Sequence, residues 1–319
     1  MKNNNLEKSF TINAAKVFED AFVELAEKNR EVVFISADSY IGAGAKKFKK
    51  RYPERFFEFG IAEQNACSHA AGMAFMGKRP FFSAIATFAT MRCFEQIRND
   101  LARPNLNVVI IGRGAGMSYS IQGPSHVSID DIGVLRNLHN MTIIDPADSF
   151  DFKNAIFESI KTSGPIYIRA HKKLPLKIGI NNLKFRIGKG QLIKEGKDVT
   201  IVACGPMVSK SLNASALLKE RKIDSEIINM HTIKPLDKEL ILKSVEKTKK
   251  VVSIEEHSVV NGLGSSIADV LSENCYARLL KIGFESNIAI EGPYDDLLSY
   301  YGLQPNEIAV RIEEFVNMK

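Results

Sequence analysis

The chain has 319 residues, 45% hydrophobic and 25% charged, which is enough to bury two ordinary cores and is not the composition of a disordered chain. No apolar run approaches a membrane span, and the polar start Met1-Lys2-Asn3-Asn4-Asn5 lacks the apolar core of a signal peptide, so the expected compartment is the cytoplasm. The net charge of +6 raises nucleic-acid binding, but its densest source, Lys46-Lys47-Phe48-Lys49-Lys50-Arg51, lacks the aromatic interleaving that stacks bases and reads as a solvated helix face.

Along the chain, short apolar runs alternate with helix-length segments, the pattern of parallel sheets with helices on both faces. Strands are predicted at residues 32–36, 80–86, 107–112, 141–144 and 165–169, and helices at 11–28, 62–76, 88–102, 128–138 and 149–161. Residues 172–190 hold Pro175, Gly179, Gly188 and Gly190 among basic side chains and read as a linker. The pattern then restarts, with strands at 199–204, 225–229, 251–255 and 279–282. Its helices are expected at 208–221, 238–247 and 265–274, followed by two terminal segments reaching Met318. The expected fold class is α/β: two doubly wound domains, each a mostly parallel sheet with helices on both faces. The boundaries are drawn at 7–175, 176–190 for the linker, and 191–319. The four cysteines, Cys67, Cys93, Cys204 and Cys275, are far apart and without metal-ligand spacing. They read as core residues in a reducing compartment.

In such sheets ligands bind just beyond the carboxyl ends of the strands. Phe57-Glu58-Phe59-Gly60-Ile61-Ala62-Glu63-Gln64-Asn65 places one carboxylate, Glu63, where an apolar strand end turns into a helix rich in Ala, Ser and Gly. An ionised carboxylate is costly in apolar surroundings, which would make its proton available for chemistry; an acid placed at a helix N-terminus for the dipole is the plainer reading. Asp38 follows the strand at 32–36, and Thr87 and Phe88 follow the strand at 80–86. The loop from Arg113 to His126 is glycine-rich but lacks the spacings of known phosphate-binding loops. His126 sits just ahead of a helix, where it could meet a ligand, shuttle a proton, or simply cap.

Taken together, residues 57–72, residues 80–98 with Phe94-Glu95-Gln96-Ile97-Arg98, Gly123-Pro124-Ser125-His126 and Asp145-Pro146-Ala147-Asp148 resemble the pyrimidine-binding domain of transketolase. His231-Thr232-Ile233-Lys234-Pro235-Leu236-Asp237, Ile254-Glu255-Glu256-His257 and Asn261-Gly262-Leu263-Gly264 resemble that family's C-terminal domain. The Gly-Asp-Gly motif and following asparagine, with which full-length transketolases grip the diphosphate and its magnesium, do not occur in the sequence. The resemblance therefore implies the C-terminal subunit of a split transketolase, moving a two-carbon ketol unit from a ketose or ketose phosphate to an aldose-type acceptor. It implies thiamine diphosphate as cofactor, Mg2+ held by a separate N-terminal subunit, and a heterotetramer acting on sugars or sugar phosphates. Neither nucleic acid nor membrane is an implied partner.

By the same resemblance, Glu63 matches the glutamate that bonds the aminopyrimidine nitrogen and activates the cofactor. Phe88 matches an aromatic stacked on that ring, and Asp38 and Ile61 match further cofactor-binding positions. His126 matches a histidine that hydrogen-bonds the bound ketose. With Gln122, Arg169 and Lys172 it makes up the expected substrate-binding set.

The sequence departs from the sugar-phosphate pattern at several positions. Ile85 stands for a second pocket phenylalanine, Gly42 for a phosphate-binding serine, Gly114 for a phosphate-binding histidine, and Gln122 for an acceptor-binding aspartate. A phosphate-binding arginine has only His171 or Lys172 as its counterpart. Each lost charge-assisted contact removes roughly 1.5–3 kcal/mol, so the expected acceptor is not an ordinary pentose phosphate. Rival readings are a 1-deoxy-D-xylulose-5-phosphate synthase-like subunit, a 2-oxo acid dehydrogenase beta-like subunit, and a non-catalytic assembly partner. The Thr232–Asp237 match favours transketolase over the first two. Retention of Glu63 argues against the third.

Overall fold

Val32-Val33-Phe34-Ile35-Ser36 is buried at every position, as a strand must be when helices cover both faces of its sheet. The same holds for Val109–Arg113, Ile166–Ala170, Val199–Ala203 and Ser225–Asn229, and these segments form the centres of two sheets. The computed structural model describes residues 11–178, 184–286, 288 and 290–318.

Among the described residues the first half supplies β1 (Thr11–Asn13), β2 (Val32–Ser36), β3 (Phe56–Glu58), β4 (Arg79–Ile85), β5 (Val109–Arg113), β6 (Thr142–Ile144), β7 (Ile166–Ala170) and β8 (Lys173–Pro175). The second half supplies β9 (Gln191–Lys194), β10 (Val199–Ala203), β11 (Ser225–Asn229), β12 (Thr232–Lys234), β13 (Lys250–Ser258) and β14 (Arg278–Phe284). The first sheet runs β12-β6-β7-β5-β4-β2-β3 and the second β14-β13-β10-β11-β9. Every pairing inside them is parallel except those of the two edge strands β12 and β9. Both are α/β sheets with helices packed on each face, as expected. Helices Ala14–Lys28 and Ser149–Ser159 cover one face of the first sheet through Phe18, Phe22 and Phe152. Helix Glu63–Phe75 and the segment Phe88–Ala102 cover the other through Ala66, Ala70, Ile97 and Leu101. No helix among the described residues is long and apolar enough to cross a membrane.

Four differences from the sequence-based expectations stand out. Residues 11–13 are a strand pairing with β8, and the first helix starts at Ala14, where the Asn13 side chain accepts from the Ala15 amide. The 88–102 helix contains two wider turns, Phe88–Arg92 and Ile97–Ala102, on either side of a short α segment. The 172–190 stretch is anchored where it is described: Phe185 is buried and stacks on His231 at 4.1 Å, while Gly179 lies outside the described residues. Finally, β12 belongs to the second half in sequence but completes the edge of the first sheet. The cysteines fall as expected: Cys67, Cys93 and Cys204 are buried, Cys275 is partly buried, and all four are free. The Lys46–Arg51 helix buries Phe48 and pairs Lys47 with Asp20 and Arg51 with Glu27 at the surface.

Candidate active site

Because β2 lies in parallel between β3 and β4, the segments carrying Asp38, Gly60-Ile61 and Thr87-Phe88 leave the sheet side by side. Two hydrogen bonds tie the first pair of loops: Phe59 N donates to Ser36 O at 3.0 Å, and Asp38 N to Glu58 Oε1 at 2.7 Å. Asp38 adopts a left-handed φ of 49°, which a short polar side chain tolerates better than a branched one. Ile61 is exposed at the mouth of this edge.

Glu63 opens the helix Glu63–Phe75, where the helix dipole favours a negative charge. Its side chain is 4% exposed and fully paired, since Arg92 Nη1 donates to both carboxylate oxygens at 2.8 Å. The apolar setting suggested by the sequence is thus only part of its surroundings. The wider turn at Phe88–Arg92 brings the guanidinium over the Phe88 ring, 4.2 Å from its centre, a cation–π contact. Phe88 in turn meets His126 edge-on at 5.2 Å, and His126 Nδ1 lies 3.0 Å from Ser125 Oγ. Glu63, Arg92, Phe88 and His126 therefore form one connected row along the strand ends. Arg92 was not singled out in the sequence. Its four-residue spacing from Phe88 within one helix was the available signal.

Beyond His126 the edge continues past β5 and β7. Arg113, the last residue of β5, is 7% exposed with Nε unpartnered, and burial lowers its pKa from the ordinary arginine value. A Cβ on Gly42 would lie 2.7 Å from Arg113 Nη1, and one on Gly114 would lie 2.0 Å from the Tyr119 ring. Arg113 and Tyr119 thus occupy the room that side chains at Gly42 and Gly114 would need. A cavity of about 170 Å³ lies between them, bounded by His171 and Lys172. A neighbouring cavity of about 650 Å³ brings together Gln122, Lys172, Lys210 and Tyr294.

Arg169 requires a correction. It was expected to bind substrate, yet it is 0% exposed. Its Nε donates to Asp131 at 3.0 Å, its Nη1 to Asp145 at 2.8 Å, and its Nη2 to the carbonyls of Ser128 and Glu256, both at 3.1 Å. Four of its five N–H donors are thus used inside the protein, and its burial keeps the guanidinium away from a ligand. Burial alone would raise the Asp145 carboxyl, but Arg169 and His171 hold it well below the usual carboxylate range.

The donor set fits one end of thiamine diphosphate. A half-buried aromatic face beside a carboxylate suits a flat aminopyrimidine. Among the described residues, no group of three or more His, Cys, Asp or Glu could hold a metal ion.

Comparison with known proteins defines the class. Residues 11–176 match the family model of the transketolase pyrimidine-binding domain, and residues 188–308 that of the transketolase C-terminal domain, both modules of a thiamine diphosphate-dependent family. The chain belongs to the transketolase family. It is 40% identical over 302 residues to a protein provisionally named a transketolase C-terminal section in Methanocaldococcus jannaschii, covering 94% of this chain and 95% of that one. It is 36% identical over 300 residues to a 6-deoxy-6-sulfo-D-fructose transketolase subunit of a Clostridium species, covering 94% and 93%. A solved structure described as a split-gene transketolase in an inactive beta4 tetramer superposes with a TM-score of 0.88 at 37% identity, covering 97% of this chain and 99% of that one.

Proposed function

We propose that this chain is the catalytic C-terminal subunit of a two-polypeptide transketolase. It would transfer a ketol unit between sugars with thiamine diphosphate, while a separate N-terminal subunit holds the diphosphate and Mg2+. The observation that carries this reading is the unbroken row Glu63–Arg92–Phe88–His126 at the carboxyl edge of the first sheet. Glu63 and Phe88 would hold the cofactor there, and it would supply a carbon nucleophile for carbon–carbon bond cleavage and formation.

Each side chain has a physical task in this reading. Glu63 presents a carboxylate that holds or releases a proton at the aminopyrimidine nitrogen. Arg92 fixes that carboxylate by a charge-assisted pair in which one guanidinium nitrogen meets both oxygens. Phe88 offers the face on which the heterocycle lies flat. Ser125 bonds one ring nitrogen of His126, which leaves the other for a substrate hydroxyl.

The test is a set of steady-state rates with the reconstituted pair. Glu63→Gln keeps the shape and removes the titratable oxygen, and a rate loss of about 100-fold or more is expected. Full activity in Glu63→Gln would refute the reading. This chain without its partner is expected to be inactive and self-associated.

We further propose that the acceptor is not an ordinary pentose phosphate. Glycines stand at two phosphate-binding positions of the resemblance, and Arg113 and Tyr119 fill the space beside them. Efficient turnover of ribose 5-phosphate with xylulose 5-phosphate would overturn this.

A further inference from the structure

The loop between β5 and the helix Asp131–Arg136 carries Gln122 and His126. It is pinched at its base by two backbone bonds between Gly116 and Ser128, each 3.0 Å. One residue beyond that pinch, it is held from the second sheet. Glu256 on β13 is 0% exposed, its Oε1 accepts the Met117 amide at 2.6 Å, and its Oε2 accepts the Tyr294 hydroxyl at 2.6 Å. The Glu256 carbonyl accepts from Arg169 Nη2, the same nitrogen that reaches the Ser128 carbonyl. Glu256 therefore touches the outgoing arm of the loop directly and the returning arm through one guanidinium.

Two neighbouring details show how closely the loop is fitted to this carboxylate. Gly116 has a φ of 63°, and a Cβ on it would lie 2.3 Å from Glu256 Oε1, so only glycine lets the loop lie there. Ser120 Oγ donates to the Gly292 carbonyl at 2.8 Å, two residues before Tyr294. The loop is thus bonded to the second half of the chain at Met117 and again at Ser120.

We propose that Glu256, locked in orientation by Tyr294, is a positioning residue for His126 and Gln122. In that role the second half of the chain sets the geometry of the substrate-facing loop. The inference rests on the ketol-transfer reading of the row at the strand ends. It adds to that reading a role for a residue that touches neither cofactor nor sugar. A buried carboxylate bonded to a loop amide resists loop displacement, since freeing it would leave two buried partners unsatisfied.

The test uses the complete two-subunit enzyme with Glu256→Ala, Tyr294→Phe, His126→Ala and the pairwise combination of the first and third. Glu256→Ala is expected to lower kcat/KM for the ketose by about tenfold, and by less than about threefold when His126 is already alanine. Cofactor affinity, read by titration, should stay unchanged, because the Glu63 side of the edge is untouched. Glu256→Gln should recover most of the loss, because its amide oxygen still accepts from Met117. Hydrogen exchange on the chain gives an independent reading: amides of residues 117–122 should exchange faster in Glu256→Ala while β2 and β4 keep their protection. Tyr294→Phe removes a single hydroxyl and should shift both readouts the same way, which keeps the test sound if Glu256→Ala folds poorly. Additive losses with His126→Ala, or unchanged exchange at 117–122, would overturn the inference. Absence of ketol transfer in the unmodified complex would instead sink the functional reading, and the exchange measurement would still decide whether the clamp exists.

Discussion

Arg92 decides how Glu63 is held. The carboxylate is almost wholly buried, and among the described residues its ionic partner is this guanidinium, 2.8 Å away. Removing the cation would leave a buried charge without its partner, and charge-assisted bonds of this type contribute about 1.5–3 kcal/mol. Arg92→Ala is therefore expected to lower kcat about 10- to 100-fold in the reconstituted pair, measured at saturating cofactor. Arg92→Lys should not restore it, because an ammonium cannot both grip the carboxylate and stack on Phe88. At this scale the sequence was partly legible. Glu63, Phe88 and His126 stood out because each follows a strand end in a recognisable motif. Arg92 and Arg113 were passed over because their importance lies in side chains reaching across space. Arg169 was misread for a related reason: position at a strand end does not reveal which way a side chain points.

Among the elements, the interior strands were readable because both faces are buried and the apolar runs are unbroken. The edges were not. β1, β3, β8 and β12 have three residues each and β9 has four, too short for any periodicity to show. The helix Ser149–Ser159 shows how elements from the two halves meet. Its N-cap Asp148 and first-turn Asp151 are both buried, and Asn229 of β11 donates to Asp151 at 2.8 Å. Burial first, and then the charge of Asp148, push Asp151 up to about 7 from the ordinary 3.8. A carboxyl raised in the folded state keeps its proton while the unfolded chain releases it. Its contribution is therefore complete below about pH 4 and is lost as the pH climbs toward 7, by about 1.4 kcal/mol per pH unit at most. The melting temperature should fall from pH 5 to pH 8, and Asp151→Asn should flatten that slope. Some slope should remain, since burial also raises Glu255 to about 7. A wild-type melting temperature that is level over this range would contradict the assignment.

Across the whole molecule, a buried polar seam joins the sheets. Arg169, Asp131, Asp145, His171 and Glu256 meet there without solvent exposure beyond 1%. Such a seam is costly to desolvate, and breaking it by removing one partner is costlier than never having built it. Arg169→Met leaves Asp131 and Asp145 facing an apolar side chain, with His171 still hydrogen-bonded to Asp145. It is expected to destabilise the chain by about 3–5 kcal/mol, read as a lower urea midpoint, with a loss of kcat/KM for the ketose no larger than that of Glu256→Ala, since this guanidinium also ties the returning arm of the loop. A selective KM effect at unchanged stability would return Arg169 to the substrate.

The antiparallel strand β12 has a bearing on how such enzymes can be cut and joined. A chimaera fusing residues 11–178 to the tail of a foreign relative would import that relative's Thr232–Lys234 counterpart as the outermost ribbon beside Ile143 and Ile144. Grafts that respect this hybrid seam should express cleanly. Those that omit it would bare the backbone groups of β6 and invite strangers to bind there.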